Sequence, residues 1–350
     1  MVGQDLAGHP YGPAPDRKGA DLSAVSEGRG ENLAGGLRPV GEALSPSRQG
    51  HLAMLAFSAL VAGSFSLGGQ IANEIAPAAL NAVRFALAAG VIGAVLAVRG
   101  GGFGAVIVAP WRYLVLGGLF ATYFVTMFEG LKTAPPVSAA AVFTLTPVMA
   151  AGFGWLLLRQ VTTPRIALAL AVGAVGALWV IFRADLSALL AFEIGRGEWV
   201  FFWGCMCHAA YTPAVRWLNR GEPVLIFTFG TLLACAFVLL IWGWHDLRAT
   251  DWGGLRPLVW ITLFYVSIIA SSTTVFLVQY ATLRLPSSKV MAYTYLTPSW
   301  VILWEIALGQ PVPGLLVLGG IVLTILALWM LLKDETPGLS KIKEREPEPL

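Results

Sequence analysis

Long stretches without charge are the feature that most constrains the fold of this chain. Residues 52–73 contain no Asp, Glu, Lys or Arg, and apolar stretches of similar length follow along most of the sequence. A helix needs about 20 apolar residues to cross a bilayer. Hydrophobic residues make up 57% of the chain and charged residues only 12%, against about 45–50% and 25% in an ordinary soluble domain. The sequence therefore predicts an all-α integral membrane protein.

Ten membrane spans are predicted, joined by short loops. They cover residues 52–70, 77–98, 113–131, 136–158, 166–182, 199–217, 223–244, 258–283, 289–308 and 311–332. The segments before and after the spans are rich in Gly, Pro, Ser and charge, and they contain too little apolar surface to offset the entropy of ordering. We therefore expect a disordered tail at residues 1–51 and a second polar tail at residues 333–350.

The basic residues predict the orientation. With the spans alternating, seventeen of the 23 Lys and Arg residues lie on the side of the N-terminus. The exceptions are five on the other side and one within a span: Lys132, Arg183, Arg196, Arg248, Arg256 and, within span 2, Arg84. Because cytoplasmic loops are rich in Lys and Arg, both termini are expected on the cytoplasmic side. The membrane is expected to be a bacterial inner membrane. The lipid bilayer is thus a predicted partner, and the net charge of +3 does not indicate nucleic-acid binding.

A sequence segment near the middle of the chain is repeated, in similar form, near its end. Residues 145–160 read LTPVMAAGFGWLLLRQ, and residues 296–310 read LTPSWVILWEIALGQ. A shift of 151 residues superposes Pro147 on Pro298, and one deletion later Gln160 falls on Gln310. Five spans per copy is an odd number, so the second copy must enter the membrane from the opposite side, as in inverted-repeat transporters. The predicted halves are residues 52–183 and 198–332.

Other chemistries find little support. The three cysteines lie in predicted spans, so a disulfide framework is not expected. Cys205 and His208 share a helix face, but we favour packing over a metal site there. The Gly-rich loop at 100–104 lacks the Lys and the strand-to-helix context of a phosphate cradle, and no other enzyme motif is present. We expect no enzyme activity and no cofactor.

The chain resembles the drug/metabolite transporter superfamily in its EamA-like branch. The residues that carry the resemblance are Pro77, Arg84 and Phe85 in span 2, GLKTAPPVSAAAVFTLTPVMAAGFGWLLLRQVTTP at 130–164, FFWGCMCHAAYTPAVRWL at 201–218, and ATLRLPSSKVMAYTYLTPSWVILWEIALGQ at 281–310. The resemblance implies ten helices around a central cavity lined by spans 1, 3, 4, 6, 8 and 9, with spans 5 and 10 outside.

Helical spacing suggests which side chains face that cavity. Tyr293, Thr297 and Trp300 follow an i, i+4, i+7 pattern in span 9, and i, i+3 pairs occur in spans 6 and 8. The predicted substrate cavity consists of Tyr293, Thr297, Trp300, His208, Tyr211, Phe276, Gln279, Phe143 and Thr146. A satisfied core histidine remains an equal alternative for His208.

Five further residues attract attention inside the spans. Pro147 and Pro298 each remove a backbone hydrogen bond, so they predict kinks that act as hinges or only shape packing. Arg84, Glu129 and Glu305 are charges that need partners in a membrane. They are interpreted as coupling or structural charges, with two alternatives for the glutamates: extension to the interface, and for Glu129 a pair with Lys132.

The predicted function is secondary transport of a small-molecule substrate by alternating access, with export of amino acids or related compounds favoured. Aromatic side chains in the cavity suit planar or apolar substrates. The alternatives are an uptake carrier for a vitamin or nucleotide-type metabolite, and drug efflux; a membrane enzyme or receptor is disfavoured by the repeat. Small-residue faces fit dimer contacts and internal packing equally well, so the oligomeric state is left open.

Overall fold

The fold is known from a computed structural model, which describes residues 45–191 and 194–333. Within those ranges the chain is helical and contains no strand. The helices are α1 (Pro46–Ile71), α2 (Pro77–Val98), α3 (Gly104–Ile107), α4 (Trp111–Gly130), α5 (Pro136–Phe143), α6 (Thr146–Leu158), α7 (Pro164–Ile181), α8 (Leu186–Ala191), α9 (Arg196–Leu218), α10 (Val224–Trp242), α11 (Trp244–Ala249), α12 (Pro257–Phe264), α13 (Thr273–Thr282), α14 (Ser287–Ala292), α15 (Thr297–Ala307) and α16 (Leu315–Lys333).

Eight helical stretches are long and apolar enough to cross a membrane. They are α1, α2, α4, α5 with α6, α7, α10, α12 through α13, and α16. A π-helical segment, Tyr265–Ser272, joins α12 to α13 within one of them. Two further stretches coincide with predicted spans but are less apolar or less regular. The first, α9, carries charges at both ends, and the second consists of α14 and α15 joined by a 3-10 turn, Tyr293–Leu296.

The first helix begins earlier than the sequence analysis placed it. Pro46 is its first residue, so residues 46–51 of the predicted tail belong to α1. Ser45 provides the cap, since its hydroxyl accepts a hydrogen bond from the Arg48 N–H at 3.4 Å. Proline suits the first helical turn, where its missing N–H has no helical partner to lose. The rest of the predicted N-terminal tail, and the C-terminal tail after residue 333, lie outside the described residues.

Five pairs of helical stretches form the main packing of the molecule. These pairs, which together include all ten stretches, are α7 with α16, α4 with α9, α2 with α10, α1 with α13, and the broken stretch α5–α6 with the broken stretch α14–α15; α10 also packs closely on α4, and α6 on α9. In the last pair α5 lies along α15 and α6 along α14, so the two broken stretches run antiparallel. Most of the buried side chains belong to one core that these pairs share.

Contacts near the start of α1 define one end of the molecule, called here the N-terminal face. Gly50 of α1 lies against the Leu285 side chain. The Arg216 guanidinium, near the end of α9, donates to the carbonyl oxygens of Thr282 and Leu285 at 2.6 and 2.8 Å. Arg112, near the start of α4, forms an ion pair with Glu222 at 2.5 Å, and side-chain exposures of 2% and 13% make it a largely buried pair.

Contacts near the end of α1 define the opposite end, called the distal face. Glu74 follows α1 and forms an ion pair with Arg256, just before α12, with side-chain exposures of 26% and 60%. Nearby, Gly197 near the start of α9 approaches the backbone of Gly130, the last residue of α4. The Asn73 amide donates to the Lys132 carbonyl at 3.3 Å, which joins the end of α1 to the same loop.

Candidate functional site

An aromatic cluster surrounds His208 in the middle of the molecule. Its side chain is 1% exposed and lies on α9, whose face toward α4 is buried. The rings of Tyr123, Phe143 and Phe120 have centroids 4.5, 5.2 and 5.5 Å from that of the imidazole. Phe57 of α1 stacks at 6.5 Å on the same group. Helices α1, α4, α5 and α9 therefore meet at one apolar, aromatic centre.

A buried amide network borders this cluster. Gln279 of α13 donates from Nε2 to Tyr211 Oη at 2.9 Å and to Thr231 Oγ1 at 3.0 Å. Its Oε1 accepts from the Thr228 hydroxyl at 2.5 Å. The Tyr211 ring in turn lies 4.0 Å from that of Phe120, centroid to centroid. The network fixes the predicted cavity residue Gln279 to α9 and α10, so both ends of its amide are already engaged by protein groups.

The predicted face of span 9 packs along α1. Tyr293 Oη lies 3.1 Å from His51 Nδ1. Trp300, seven residues later, donates from its indole N–H to Ser58 Oγ at 3.2 Å. His51 and Ser58 are also seven residues apart, so both contacts lie along one stripe where the two helices run side by side. The i, i+7 spacing predicted a shared face for Tyr293 and Trp300, and that face meets α1.

The two matched prolines begin helices. Pro147 is the second residue of α6 and Pro298 the second residue of α15. Proline is tolerated in a first turn because no helical hydrogen bond is lost there. The carbonyl of Phe143, which Pro147 would have left free, accepts from the Thr146 hydroxyl at 2.7 Å. Each proline thus lies directly after a break within a membrane stretch, at the place where a kink was predicted; the kink and the hinge role stay predictions.

The two breaks touch each other. Thr146 Oγ1, at the break before α6, lies 3.2 Å from Thr294 Oγ1, in the 3-10 turn before α15. Each hydroxyl also donates across its own break, Thr146 to the Phe143 carbonyl and Thr294 to the Met291 carbonyl. Thr297 is fully buried, and its Oγ1 has no hydrogen-bond partner within the described residues. Non-helical backbone at membrane depth is tolerated where protein surrounds it, and here threonine hydroxyls supply the missing hydrogen bonds.

Arg84 of α2 is buried at the meeting of three helical stretches. Its Nε donates to Ser271 Oγ of the π-helical segment at 2.6 Å, and its Nη1 to Asn81 Oδ1 at 3.5 Å. The guanidinium carbon lies 4.0 Å from the centroid of the Phe124 ring of α4. These contacts join α2 to α4 and to the π-helical segment.

The two glutamates of the spans lie in different surroundings. Glu129, near the end of α4, forms an ion pair with Lys132 at 2.7 Å, as the i, i+3 spacing allows. Glu305 of α15 is partly buried, and its Oε1 has no hydrogen-bond partner within residues 45–191 and 194–333. The ion pair of Glu129 lies at the distal face, so Glu305 is the more unusual of the two carboxylates.

The structure distributes the predicted cavity residues over two neighbouring groups. His208, Tyr211 and Phe143 belong to the aromatic cluster, and Gln279 joins it through Tyr211. Tyr293, Trp300, Thr297 and Thr146 lie along α1 and the two helix breaks. Phe276 stands apart and stacks on Tyr280 at 5.9 Å. Phe57, next to Ser58 in α1, connects the two groups.

Several members of the aromatic cluster are not among the residues predicted to line the cavity. They are Phe57, Phe65, Phe120, Tyr123 and Phe201. A helical spacing signal was present, since Phe120, Tyr123 and Phe124 follow i, i+3, i+4, but core packing explains such a pattern equally well. Only the approach of α1, α4 and α9 to one another turns these separate aromatics into one group.

Two segments of the chain match a family model. The model, described as the EamA-like transporter family, matches residues 48–182 and again residues 195–333. Together the matches cover most of the chain. The chain belongs to the EamA-like transporter family. It is therefore a membrane transporter, integral to the bilayer through its apolar helices, and a small molecule is its class of substrate.

Individual relatives of this EamA-like transporter are distant. The chain is 23% identical over 283 residues to a protein of Bacillus subtilis (strain 168) named "Uncharacterized transporter YyaM", and the match covers 79% of this chain and 91% of that one. A crystal structure superposes with a TM-score of 0.62 at 19% identity, covering 86% of this chain and 99% of the other. The second likeness concerns the fold alone.

Proposed function

We propose that this EamA-like transporter crosses the membrane ten times, as two inverted five-span halves, and works by alternating access. The observation that carries the proposal is the packing pattern. Exchanging each span with the span five later maps the pairs α7–α16, α2–α10 and α5–α6 with α14–α15 onto themselves. The same exchange maps the pair α4–α9 onto α13–α1, and α6–α9 onto α15–α1. Such a two-fold pattern is what an inverted repeat produces.

The repeated phrases support the same proposal at the level of local structure. Both end in a residue with left-handed backbone followed by Gln: Arg159 has φ 53° before Gln160, and Gly309 has φ 81° before Gln310. Both begin at a helix break, and the matched proline lies in the first turn of the helix that follows the break. The breaks of the two halves are in contact through Thr146 and Thr294. A backbone movement at one break would therefore displace the other.

The proposed substrates are amino acids or related small metabolites, moved from the cytoplasm outward. The aromatic cluster around His208 supports this class, since stacked rings favour planar or apolar side chains. The basic residues support an N-terminal face in the cytoplasm. The bacterial inner membrane is the proposed location.

Transport by the purified protein in lipid vesicles tests the function. Vesicles loaded with a mixed pool of amino acids, vitamins and nucleotides, and a matched set with the pool outside, are sampled over time. Protein orientation in each preparation is determined by protease access to the tails. We expect efflux of a subset of the pool in the physiological orientation. Movement of vitamins or nucleotides and of no amino acid would overturn the proposed substrate class.

A pair of tryptophans provides a matched control for the site. Trp300→Ala removes a side chain that donates to Ser58 in the interior, whereas Trp155→Ala removes one that is 54% exposed on α6. We expect Trp300→Ala to change the ranking of transported compounds, because a lost stacking or hydrogen-bonding partner affects ligands unequally. Trp155→Ala should keep the parental ranking. Identical rankings in all three proteins would move the substrate site away from α15.

A further inference from the structure

Three buried polar groups near the centre of the molecule share an unmet requirement. Arg84 on α2, Tyr123 on α4 and His208 on α9 are each 1% exposed. Arg84 carries a charge, and the other two carry polar atoms that water does not reach. Buried polar and charged groups normally have partners that compensate for the loss of hydration. The partner that each group lacks indicates the chemistry of a ligand that would bind beside them.

The charge of Arg84 has no opposite charge beside it. Among residues 45–191 and 194–333, no carboxylate lies within 4.0 Å of its guanidinium. Its hydrogen bonds go to the neutral oxygens of Ser271 and Asn81, and its face lies on the Phe124 ring. Two of the five guanidinium N–H donors are thereby used. A cation at membrane depth without a counter-ion is costly and marks a functional site by default.

Tyr123 and His208 each keep an unpaired atom. Tyr123 Oη and His208 Nδ1 are buried and have no hydrogen-bond partner within the described chain. Leaving such an atom unpaired costs about 1–3 kcal/mol. The two rings are neighbours, with centroids 4.5 Å apart. The Phe124 ring, on which the Arg84 guanidinium lies, is in turn 4.5 Å from the Tyr123 ring, centroid to centroid, so Arg84 borders the same aromatic group.

Further aromatic rings surround the Tyr123 side chain. Phe143 and Phe201 lie 5.7 and 5.8 Å from the Tyr123 ring, centroid to centroid, and Phe120 lies 6.2 Å away. A ligand that satisfies the polar groups would therefore have its remaining atoms against aromatic surface. Three potential donors beside an aromatic wall fit an anion with an apolar body better than they fit a hydrated inorganic ion.

We infer that Arg84, Tyr123 and His208 form the binding site for the carboxylate of an organic acid whose aromatic or apolar body rests on the phenylalanine rings. The inference rests on the proposed transport function and names the substrate group that its site recognises. The guanidinium supplies the charge, the Tyr123 hydroxyl donates one hydrogen bond, and His208 donates another from Nδ1. Carboxylate binding compensates the charge of Arg84 and both unpaired atoms at once.

The test compares ligands that differ only in the acid. The probes are 3-phenylpropionate and 3-phenylpropionamide, with acetate as an anion that lacks the aromatic body. Affinities are measured by calorimetry on the purified full-length protein in lipid nanodiscs. We expect the acid to bind at least tenfold more tightly than both other probes. Equal binding of acid and amide would overturn the carboxylate, and equal binding of acetate would overturn the aromatic body.

Tyr123→Phe is the decisive variant, because it removes only an atom that has no hydrogen-bond partner within the described residues. We expect a thermal stability without ligand that equals or exceeds that of the parent, and about tenfold weaker binding of 3-phenylpropionate. Tyr211→Phe is the matched control, since that hydroxyl already accepts from Gln279. It should lower stability and leave the preference for acid over amide intact. If Tyr123→Phe binds the acid as the parent does, the inference is wrong.

Arg84 is tested with its charge retained and removed. Arg84→Lys should keep part of the preference for the acid, and Arg84→Gln should abolish it. If Arg84→Gln does not fold, the Tyr123→Phe result still decides. The vesicle assay separates this inference from the proposed function. Transport of amino acids without any acid preference in binding would overturn the site alone. Acid binding that weakens in Tyr123→Phe, in a protein that transports nothing, would overturn the function alone.

Discussion

The two faces of the molecule are closed by different physical means. At the N-terminal face a largely buried ion pair, Arg112 with Glu222, joins the start of α4 to the loop after α9. At the distal face the corresponding ion pair, Glu74 with Arg256, is mostly exposed. The glycine contacts are tighter at the distal face. Gly197 approaches backbone atoms of the α4–α5 loop, whereas the nearest atoms to Gly50 belong to the side chains of Leu285 and Arg284.

The contrast indicates where each face resists opening. An exposed ion pair contributes little, because water and salt screen it, so the distal face depends on the shape of its glycine contact. A flexible leucine side chain can give way, so the N-terminal face depends on charge. Substitutions at structurally corresponding places should therefore have unequal effects at the two faces.

The largest effect is expected from Gly197→Ala at the distal face. The added methyl group would overlap the Gly130 carbonyl oxygen and lie 2.7 Å from the Ala134 nitrogen. Backbone atoms cannot rotate away, so α9 must separate from the α4–α5 loop. We expect a loss of about 3 kcal/mol or more, at the upper end of overpacking costs. The thermal midpoint of the purified protein measures it.

Gly50→Ala is the counterpart at the N-terminal face. Its methyl group would meet Leu285 Cδ1 and Cγ, both at 3.1 Å, and a shift of this side chain by a few tenths of an ångström would relieve both contacts. We expect a change within about 1 kcal/mol, since Ala also improves helix propensity. Gly152→Ala, which meets nothing within 4 Å, measures the propensity effect alone. Equal losses in Gly197→Ala and Gly50→Ala would contradict the proposed difference between the faces.

Arg112→Gln should have the next largest effect. It leaves Glu222 without its partner and removes the donor that binds the Leu218 carbonyl at 2.7 Å. Breaking a fully buried pair costs about 3–5 kcal/mol. Because Glu222 keeps some access to water, we expect about 2–3 kcal/mol, measured as the loss in unfolding free energy.

A double-mutant cycle isolates the pair from the rest of Arg112. Glu222→Gln and the combined variant Arg112→Gln/Glu222→Gln complete the cycle. We expect the double variant to be more stable than the sum of the two single losses implies, because no unpaired buried charge remains in it. Strict additivity would mean that the ion pair does not hold the N-terminal face.

The helices that form the two faces could be predicted from the sequence. The contacts that close each face could not. Uncharged stretches predicted the apolar helices, and the repeated phrase predicted that two distant segments would look alike locally. The helix breaks before Thr146 and Thr297 follow from proline chemistry, and they lie where the two prolines predicted departures from a regular helix. The glycine contact at Gly197 could not be predicted, because the sequence of a membrane helix does not show which neighbouring segment its glycines pack against.

The candidate site shows the same limit. Tyr293 and Trp300 share a face as their spacing predicted, but the sequence could not tell that α1 would cover it. Arg84 was interpreted as a structural or coupling charge, and its neighbour Tyr123 carried no signal distinct from core packing. Burial of an unpaired atom depends on helices that are far apart in sequence, so periodicity within one helix cannot reveal it.

Acid should weaken the N-terminal face more than the distal one. Burial raises the pKa of Glu222, but hydrogen bonds from Arg112 and from the Arg220 N–H outweigh it and lower the pKa below 4.5. A carboxylate with a lowered pKa in the folded state stabilises it fully above pH 4.5, and the contribution is lost as the pH falls through the folded-state pKa. We expect thermal stability to decline below pH 4.5, with a shallower decline in Glu222→Gln.

The smallest effect is expected from the exposed pair at the distal face. The hydrogen bond from Arg256 lowers the pKa of Glu74 below 4.5, so Glu74 titrates in the same acidic range as Glu222. The Arg256 side chain is 60% exposed, however, and both charges are well hydrated once separated. Glu74→Gln should therefore leave both the thermal midpoint at neutral pH and the acid decline unchanged. A steeper salt dependence of stability in the parent than in Glu74→Gln would show that the exposed pair contributes after all, and the distal face would then depend on charge as well as on the glycine contact.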